Sequence, residues 1–230
     1  MSGVLYGIGV GPGDPELMTL KAIKTLKEAH IIAAPGEKVE ETLAFKIASK
    51  ALPELINKEL LPIPMPMVMD RDIIKENHVK GAELIKEKLG EGNKVAFITL
   101  GDPTIYSTFT YIEKLIKEMG FETVYISGIP SFCAAAAALG IPLAEWEEPL
   151  HILPGVHNPD KDLSEEGNYV IMKSGRKLAE IKEKLIDCSR DAHMIENCGM
   201  EDEQRYDSIN KFPEKAGYFT LIISKENGRN

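Results

Sequence analysis

Cysteine is scarce in this 230-residue chain, which has only Cys133, Cys188 and Cys198. No two of them have C-x-x-C spacing, so zinc-ribbon and dithiol motifs are excluded, and the expectation is reduced thiols and no protein-bound metal. No run of about 18 apolar residues occurs, so no membrane-spanning helix is expected. The first residues lack a basic stretch followed by an apolar one, which predicts a cytoplasmic rather than a secreted protein. Basic residues are outnumbered, 27 Lys and Arg against 36 Asp and Glu for a net charge of −9, and no basic tract stands out. Nucleic acid is therefore not an expected partner. Repeats, low-complexity segments and a Ser-His-Asp or activated-cysteine signature are also missing. What remains is 43% hydrophobic, enough for a proper core in one large domain or two small ones.

Two glycine-bearing turns carry most of the information. In the first, the β-rich run Val95 to Leu100 breaks into Gly101-Asp102-Pro103, and a helix-like segment follows. In an α/β protein the carboxyl end of a strand is where ligands bind, because the next helix presents unpaired N–H groups there. The segment fits either a binding loop or an ordinary strand-to-helix turn. The second is Tyr6-Gly7-Ile8-Gly9-Val10-Gly11-Pro12-Gly13-Asp14-Pro15-Glu16, whose alternating glycines remove the Cβ atoms from one edge and let a ligand approach the main chain. Asp14 as N-cap and Pro15 as first residue predict a helix with Leu17, Leu20, Ile23 and Leu26 on one side. The dinucleotide fingerprint G-x-G-x-x-G fails here. Read from Gly7 it lands on Pro12, and from Gly9 on Asp14, which would repel a pyrophosphate.

The first half alternates strand and helix signals. Strands are expected near 4–9, 30–34, 58–62 and 94–100, and helices near 15–29, 41–51, 72–89 and 106–119, with Gly90 and Gly120 at C′ positions. The alternation predicts an α/β fold with a mainly parallel sheet and helices on both faces. Residues 62–69 cannot form a central strand, because their prolines remove ladder donors. They fit either a surface loop with buried methionines or an adaptable apolar flap over a large flat ligand. The second half has a helix near 131–139, strands near 150–153, 168–172, 192–196 and 217–224, and a helix near 175–186 capped by Ser174. A boundary near 126 is expected, giving an N-terminal domain of 1–126 and a C-terminal domain of 127–230 with a mixed sheet.

Read in order, Gly9-Val-Gly-Pro-Gly-Asp-Pro-Glu-Leu-Met-Thr-Leu-Lys-Ala22, Gly101-Asp-Pro, Ser127-Gly-Ile-Pro-Ser-Phe-Cys-Ala-Ala-Ala136, Met172 and Glu196-Asn197 resemble the class III S-adenosylmethionine-dependent tetrapyrrole (corrin/porphyrin) methylases over nearly the whole chain. Gly101-Asp-Pro-Thr-Ile-Tyr-Ser-Thr-Phe109, Gly128-Ile-Pro-Ser-Phe-Cys-Ala134 and Ile152-Leu-Pro-Gly155 look most like the versions in C20-methyltransferases acting on precorrin-2 or cobalt-factor II in cobalamin synthesis. The resemblance implies two α/β domains, S-adenosyl-L-methionine as co-substrate, a trough for a tetrapyrrole, and a homodimer. It places Pro12, Leu100, Gly101, Asp102, Ile105, Ser131, Met172 and Cys198 at the positions that line the methyl donor. Cys198 departs from the family pattern, in which glycine is common just after the Glu-Asn pair, so Gly199 is the alternative.

Methyl transfer from a sulfonium needs alignment and exclusion of water more than a protein nucleophile. A proton must also leave the acceptor carbon, which calls for a base or a water. Related uroporphyrinogen methylases carry a Tyr-Asp pair after the second strand, where this chain reads Ala33-Ala34-Pro35-Gly36, so that aspartate cannot be carried over. Tyr106 and Tyr111 are the candidate catalytic residues, against the alternative of ordinary packing. Asp102 either hydrogen-bonds the donor's ribose or ammonium or caps the helix after Pro103. Tyr218, Thr220 and Leu221, read as the last strand, either frame the adenine or pack in the core. Arg71, Lys173 and Arg176 are candidate anchors for substrate carboxylates, and His151 and His157 candidate substrate contacts. A carboxylate-rich substrate must be held by local cations against the acidic charge of the chain. Other readings of the same loops are a family enzyme with another acceptor, a different corrin carbon or diphthamide, and a nucleoside sensor without catalysis.

Overall fold

The computed structural model describes residues 3–66, 70–155 and 163–226, arranged as two compact units, Met1–Pro130 and Ser131–Asn230. Residues 127–130, which a boundary at 126 gives to the second unit, are tied to the first. Ser127 O accepts from Thr19 Oγ1 and the Gly128 amide donates to Asp102.

The first unit alternates strand and helix: β1 (Val4–Gly9), α1 (Leu20–Glu28), β2 (Ile31–Pro35), α2 (Leu43–Ala51), β3 (Glu59–Ile63), α3 (Arg71–Gly90), β4 (Lys94–Thr99), α4 (Phe109–Glu118) and β5 (Glu122–Ile126). The strands form one wholly parallel sheet in the order β3-β2-β4-β1-β5. Its central strands are buried on both faces, as such sheets require. Ala22 and Leu26 of α1 and Phe45 and Ala48 of α2 cover one face, against Ile8, Ile32 and Ile98. Ala82, Ile85 and Leu89 of α3 and Phe109, Ile112 and Ile116 of α4 cover the other, against Leu5, Val95 and Phe97. Pro62 lies within β3, which is tolerable because β3 is an edge strand.

The second unit holds α5 (Ser131–Leu139), β6 (Leu150–Pro154), β7 (Asn168–Met172), α6 (Leu178–Asp187), β8 (Asp191–Glu196), β9 (Gln204–Tyr206) and β10 (Thr220–Lys225). Its sheet runs β6-β7-β10-β8-β9 and is mixed: β6 and β7 are parallel and the other pairs antiparallel. The fold is therefore two α/β units with a parallel and a mixed sheet, as the sequence predicts.

Several expected details differ. The helix expected over 15–29 is broken. Asp14 caps only a 3₁₀ turn at Pro15–Leu17, the backbone extends at Met18, and Thr19 starts α1 by accepting from the Ala22 amide. The break rotates the periodicity, so Met18, Ala22 and Leu26 are buried while Leu20 is 85% exposed. The helix expected at 106 begins at Phe109, because Tyr106 sits at φ +47° and Ser107 Oγ accepts from the Phe109 amide. Gly120 takes its left-handed position, but α3 includes Gly90 and the left-handed residue there is Gly92. Ser174 does not cap the helix after it. Its hydroxyl donates to Thr220 O, and α6 starts after a 3₁₀ turn at Gly175–Lys177. The last strand starts at Thr220, leaving Tyr218 and Phe219 before it, and β9 has no counterpart in the sequence reading.

Candidate functional site

The loops after β1 and β4 leave adjacent strands and diverge, one towards α1 on the first face of the sheet and one towards α4 on the second. Such a divergence opens a crevice outside the carboxyl ends of a parallel sheet, where ligands bind in this architecture. Across it the two loops are bridged: Gly101 N donates to Gly11 O at 2.8 Å and Gly11 N to Gly101 O at 3.3 Å. Both glycines have left-handed backbone, φ +78° at Gly11 and +68° at Gly101, which L side chains adopt at a cost.

The other glycines answer a different demand. A Cβ on Gly9 would lie 2.4 Å from Gly101 O, one on Gly128 within 2.2 Å of the same oxygen, and one on Gly7 within 2.1 Å of the Phe109 ring. The main chains after β1, β4 and β5 thus pass one another without side chains between them, so these glycines serve chain packing and not ligand approach. Asp102 completes the crossing. It is 7% exposed, its Oδ1 accepts from the Thr104 amide at 2.8 Å and from the Thr104 hydroxyl, and its Oδ2 accepts from the Gly128 amide at 3.0 Å. The carboxylate shapes the turn and locks the third loop. It does not cap α4, which begins seven residues later at Phe109.

Of the sequence-predicted donor residues, Pro12, Leu100, Gly101, Asp102 and Ile105 come together on these two loops. Pro12 is buried and Leu100 and Ile105 are half-buried. Tyr106 projects from the same turn, 48% exposed. Tyr111 lies one turn into α4, its ring stacked on His78 of α3 at 4.8 Å between centroids and 10° between planes. Burial pushes the His78 imidazole below its ordinary pKa. The sequence reading did not single out His78, whose partner is distant in the chain. Arg71 is exposed at the first position of α3.

In the second unit, Met172, Cys198, Thr220 and Leu221 gather at one edge of the mixed sheet. Met172 ends β7 opposite Leu221, Thr220 pairs with Glu196 at the end of β8, and the Asn197 amide donates to Phe219 O. Thr220 and Leu221 are buried, while Tyr218 is partly exposed with Lys173 Nζ 5.7 Å from its ring centroid. Burial, with the Glu203 carboxylate adding to it, pushes the half-buried Cys198 thiol up to about 11, so at neutral pH it is a neutral, soft side chain. Gly199 is left-handed in the same turn, its amide donating to Glu203 Oε2. Ser131 begins α5, and Arg176 is exposed. His151 is engaged locally: its ring stacks on Tyr169, Nε2 donates to Glu166 O at 2.8 Å, and Nδ1 lies 3.9 Å from Glu165. His157 and the Met67–Met69 part of the methionine loop lie outside the described residues. Among the described residues no group of His, Cys, Asp and Glu is arranged to hold a metal, and no helix is long and apolar enough to cross a membrane.

Comparison with known proteins adds the family. The description Tetrapyrrole (Corrin/Porphyrin) Methylases matches residues 4–211. The chain belongs to the tetrapyrrole methylases. A probable cobalt-precorrin-2 C(20)-methyltransferase from Methanocaldococcus jannaschii is 38% identical over 96% of this chain and 95% of its own length. A precorrin-2 C(20)-methyltransferase from Sinorhizobium sp. is 29% identical over 97% of each. Among solved structures, uroporphyrin-III C-methyl transferase from Thermus thermophilus, complexed with S-adenyl homocysteine, superposes with a TM-score of 0.69 over 95% of this chain and 96% of that one, at 19% identity. That likeness shows that this methylase shares the fold.

Proposed function

We propose that this tetrapyrrole methylase transfers the methyl group of S-adenosyl-L-methionine to C20 of cobalt-factor II or precorrin-2, which differ in the metal and in macrocycle oxidation state, in cobalamin synthesis. The observation that carries the reading is the 38% identity, end to end, with a relative named for that reaction. The S-adenyl homocysteine held by the Thermus thermophilus neighbour, the by-product left when the donor loses its methyl group, supports the choice of co-substrate.

The chemistry asks little of side chains as reactants. The acceptor carbon attacks the sulfonium methyl, the carbon–sulfur bond breaks, and S-adenosyl-L-homocysteine leaves with the electron pair. The C20 proton then departs to a base or to water. Pro12, Leu100, Gly101 and Ile105 supply a half-apolar rim and main-chain groups for the donor. Asp102, with both oxygens already engaged, acts by fixing the turn. In the second unit Met172, the neutral Cys198 thiol and Tyr218 offer soft and aromatic contacts, with Gly199 as the main-chain alternative to Cys198. Thr220 and Leu221 hold the strand from within, and Ser131 is assigned to the donor by its motif alone. Where the uroporphyrinogen methylases carry the Tyr-Asp pair, this chain reads Ala33-Ala34-Pro35-Gly36, so no carboxylate serves as base there. Tyr106 is the candidate acid/base residue, its hydroxyl relaying the C20 proton to water. Arg71, Lys173 and Arg176 remain candidate carboxylate anchors.

Titration calorimetry with S-adenosyl-L-homocysteine and an assay of its release from the donor test the reading. Binding with release only when a tetrapyrrole is present supports it. Binding without release under any acceptor would make the protein a sensor. Cytoplasmic location and a homodimer complete the proposal. Sedimentation at micromolar protein should give twice the 25.4 kDa chain mass, and a species at the chain mass would rule the dimer out.

A further inference from the structure

The stacked pair His78 and Tyr111 occupies a step in the helical layer of the first unit. α3 and α4 each follow a strand of one parallel sheet on the same face, so they run side by side in the same direction. Their register is fixed where a Cβ on Gly81 would lie 3.3 Å from Ile112 Cδ1. α3 therefore overshoots the start of α4 by about two turns, roughly 10 Å, beyond the carboxyl edge of the sheet. The loop that carries Gly101 to Tyr106 leads into the start of α4, where Tyr111 meets His78. At the foot of the overshoot Tyr111 rests one face on His78 yet stays 59% exposed. Arg71 lies about two turns up from His78 on the same side of α3. Of the acidic residues here, Asp72 is 3.8 Å from Lys75 and Glu76 2.7 Å from Lys80, while Asp70 caps the helix by accepting from the Asp72 and Ile73 amides.

A supported aromatic ring beside a cation suits a flat, conjugated, carboxylate-bearing molecule. We infer that Tyr111, backed by His78, is a stacking platform for the plane of the tetrapyrrole, with Arg71 pairing one of its peripheral carboxylates. The inference rests on the proposed function for the identity of the macrocycle. It assigns Tyr111 to binding and His78 to positioning, and takes Tyr111 out of proton transfer.

The test is steady-state kinetics of the full chain with precorrin-2 and with cobalt-factor II. Tyr111→Leu and His78→Leu should each raise the KM for the macrocycle by about tenfold, the size of a lost aromatic stack, with kcat and the affinity for S-adenosyl-L-homocysteine within about twofold of wild type. The double variant should be scarcely worse than either single one, because the two residues act as one platform. Tyr111→Phe should keep the wild-type KM, since stacking survives loss of the hydroxyl. Unchanged KM in the leucine variants would overturn the platform, as would loss of kcat in Tyr111→Phe. If wild type methylates neither macrocycle, the proposed function fails while the platform is still judged, by absorbance titration with uroporphyrin III. Weaker binding by Tyr111→Leu than by wild type supports it, and equal binding by the two overturns it.

Discussion

Asp102 and Gly128 are joined by a 3.0 Å hydrogen bond from the Gly128 amide to Asp102 Oδ2, at a point where Gly101 O leaves no room for a Cβ on residue 128. The carboxylate accepts hydrogen bonds through both oxygens, so no neutral substitute fits. In Asp102→Asn the amide NH₂ must face either the Thr104 or the Gly128 N–H, and in Asp102→Ala both amides lose their acceptor. An unpaired buried donor costs about 1–3 kcal/mol. Both variants should unfold roughly 3–10 °C below wild type and bind S-adenosyl-L-homocysteine more weakly. An unchanged melting temperature would show that the crossing does not depend on Asp102.

Gly101→Ala tests the bridge between the first two loops. From sequence, a Cβ at Gly101 intrudes where a ligand approaches the main chain, which predicts lost binding with thermal unfolding within a few degrees of wild type. The left-handed backbone at Gly101, φ +68°, changes that expectation, because an alanine there costs about 1–2 kcal/mol. Calorimetric melting should fall by several degrees along with binding, and a loss of binding alone would return Gly101 to a ligand role only.

The architecture was legible because its signals are local. Apolar runs such as Val95 to Ile98 ended by glycine or proline mark parallel strands, and turn residues mark where each chain leaves the sheet. The loops proposed to line the donor were found the same way. Their reason was not legible, because the Cβ that Gly7 forgoes is displaced by Phe109 and those of Gly9 and Gly128 by Gly101, contacts distant in sequence. The break at Met18 escaped because Leu17, Leu20, Ile23 and Leu26 keep a helical period through it, although the two segments present different faces. Thr19, five residues beyond a good cap at Asp14, was the available signal. His78 sits mid-helix with nothing in its neighbours to mark it, and only the packing of α3 on α4 reveals its partner.

His78 gives the site a pH dependence whose sign follows from burial. Its folded pKa lies below the ordinary value of 6.5, so the fold prefers the neutral ring. The stabilisation from this site is present in full above pH 6.5 and declines as pH falls through the folded pKa. Proton NMR of the His78 ring should give a midpoint below 6.5, moving up towards it in Tyr111→Ala as the ring gains water. A midpoint at or above 6.5 in wild type would contradict the stacked, partly desolvated geometry.

Cys198 should be slow to alkylate. With its pKa near 11 the thiolate is a minor species at pH 7.5, and mass spectrometry after brief iodoacetamide treatment should find Cys198 largely unmodified. Its rate should rise through pH 9 and 10, following the thiolate. Rapid labelling at neutral pH would mean that the turn is more open than its geometry shows.

As the proposed acid/base residue, Tyr106 is not asked to be a strong base. Because sulfonium displacement gains mainly from alignment, Tyr106→Phe should slow turnover only about ten- to a hundredfold, at or below the usual general-base contribution, with donor affinity unchanged. Complete loss of turnover with both ligands still bound would make Tyr106 an essential acid/base.

The most direct measurement is the fate of the methyl carbon. The full chain is incubated anaerobically with S-adenosyl-L-methionine labelled with carbon-13 at the methyl group, and with precorrin-2 or cobalt-factor II in separate reactions. The product is then examined by mass spectrometry and carbon NMR. The account predicts one added methyl group, bonded to C20, in at least one of the two macrocycles. Label at any other carbon, or none transferred to either, would contradict it.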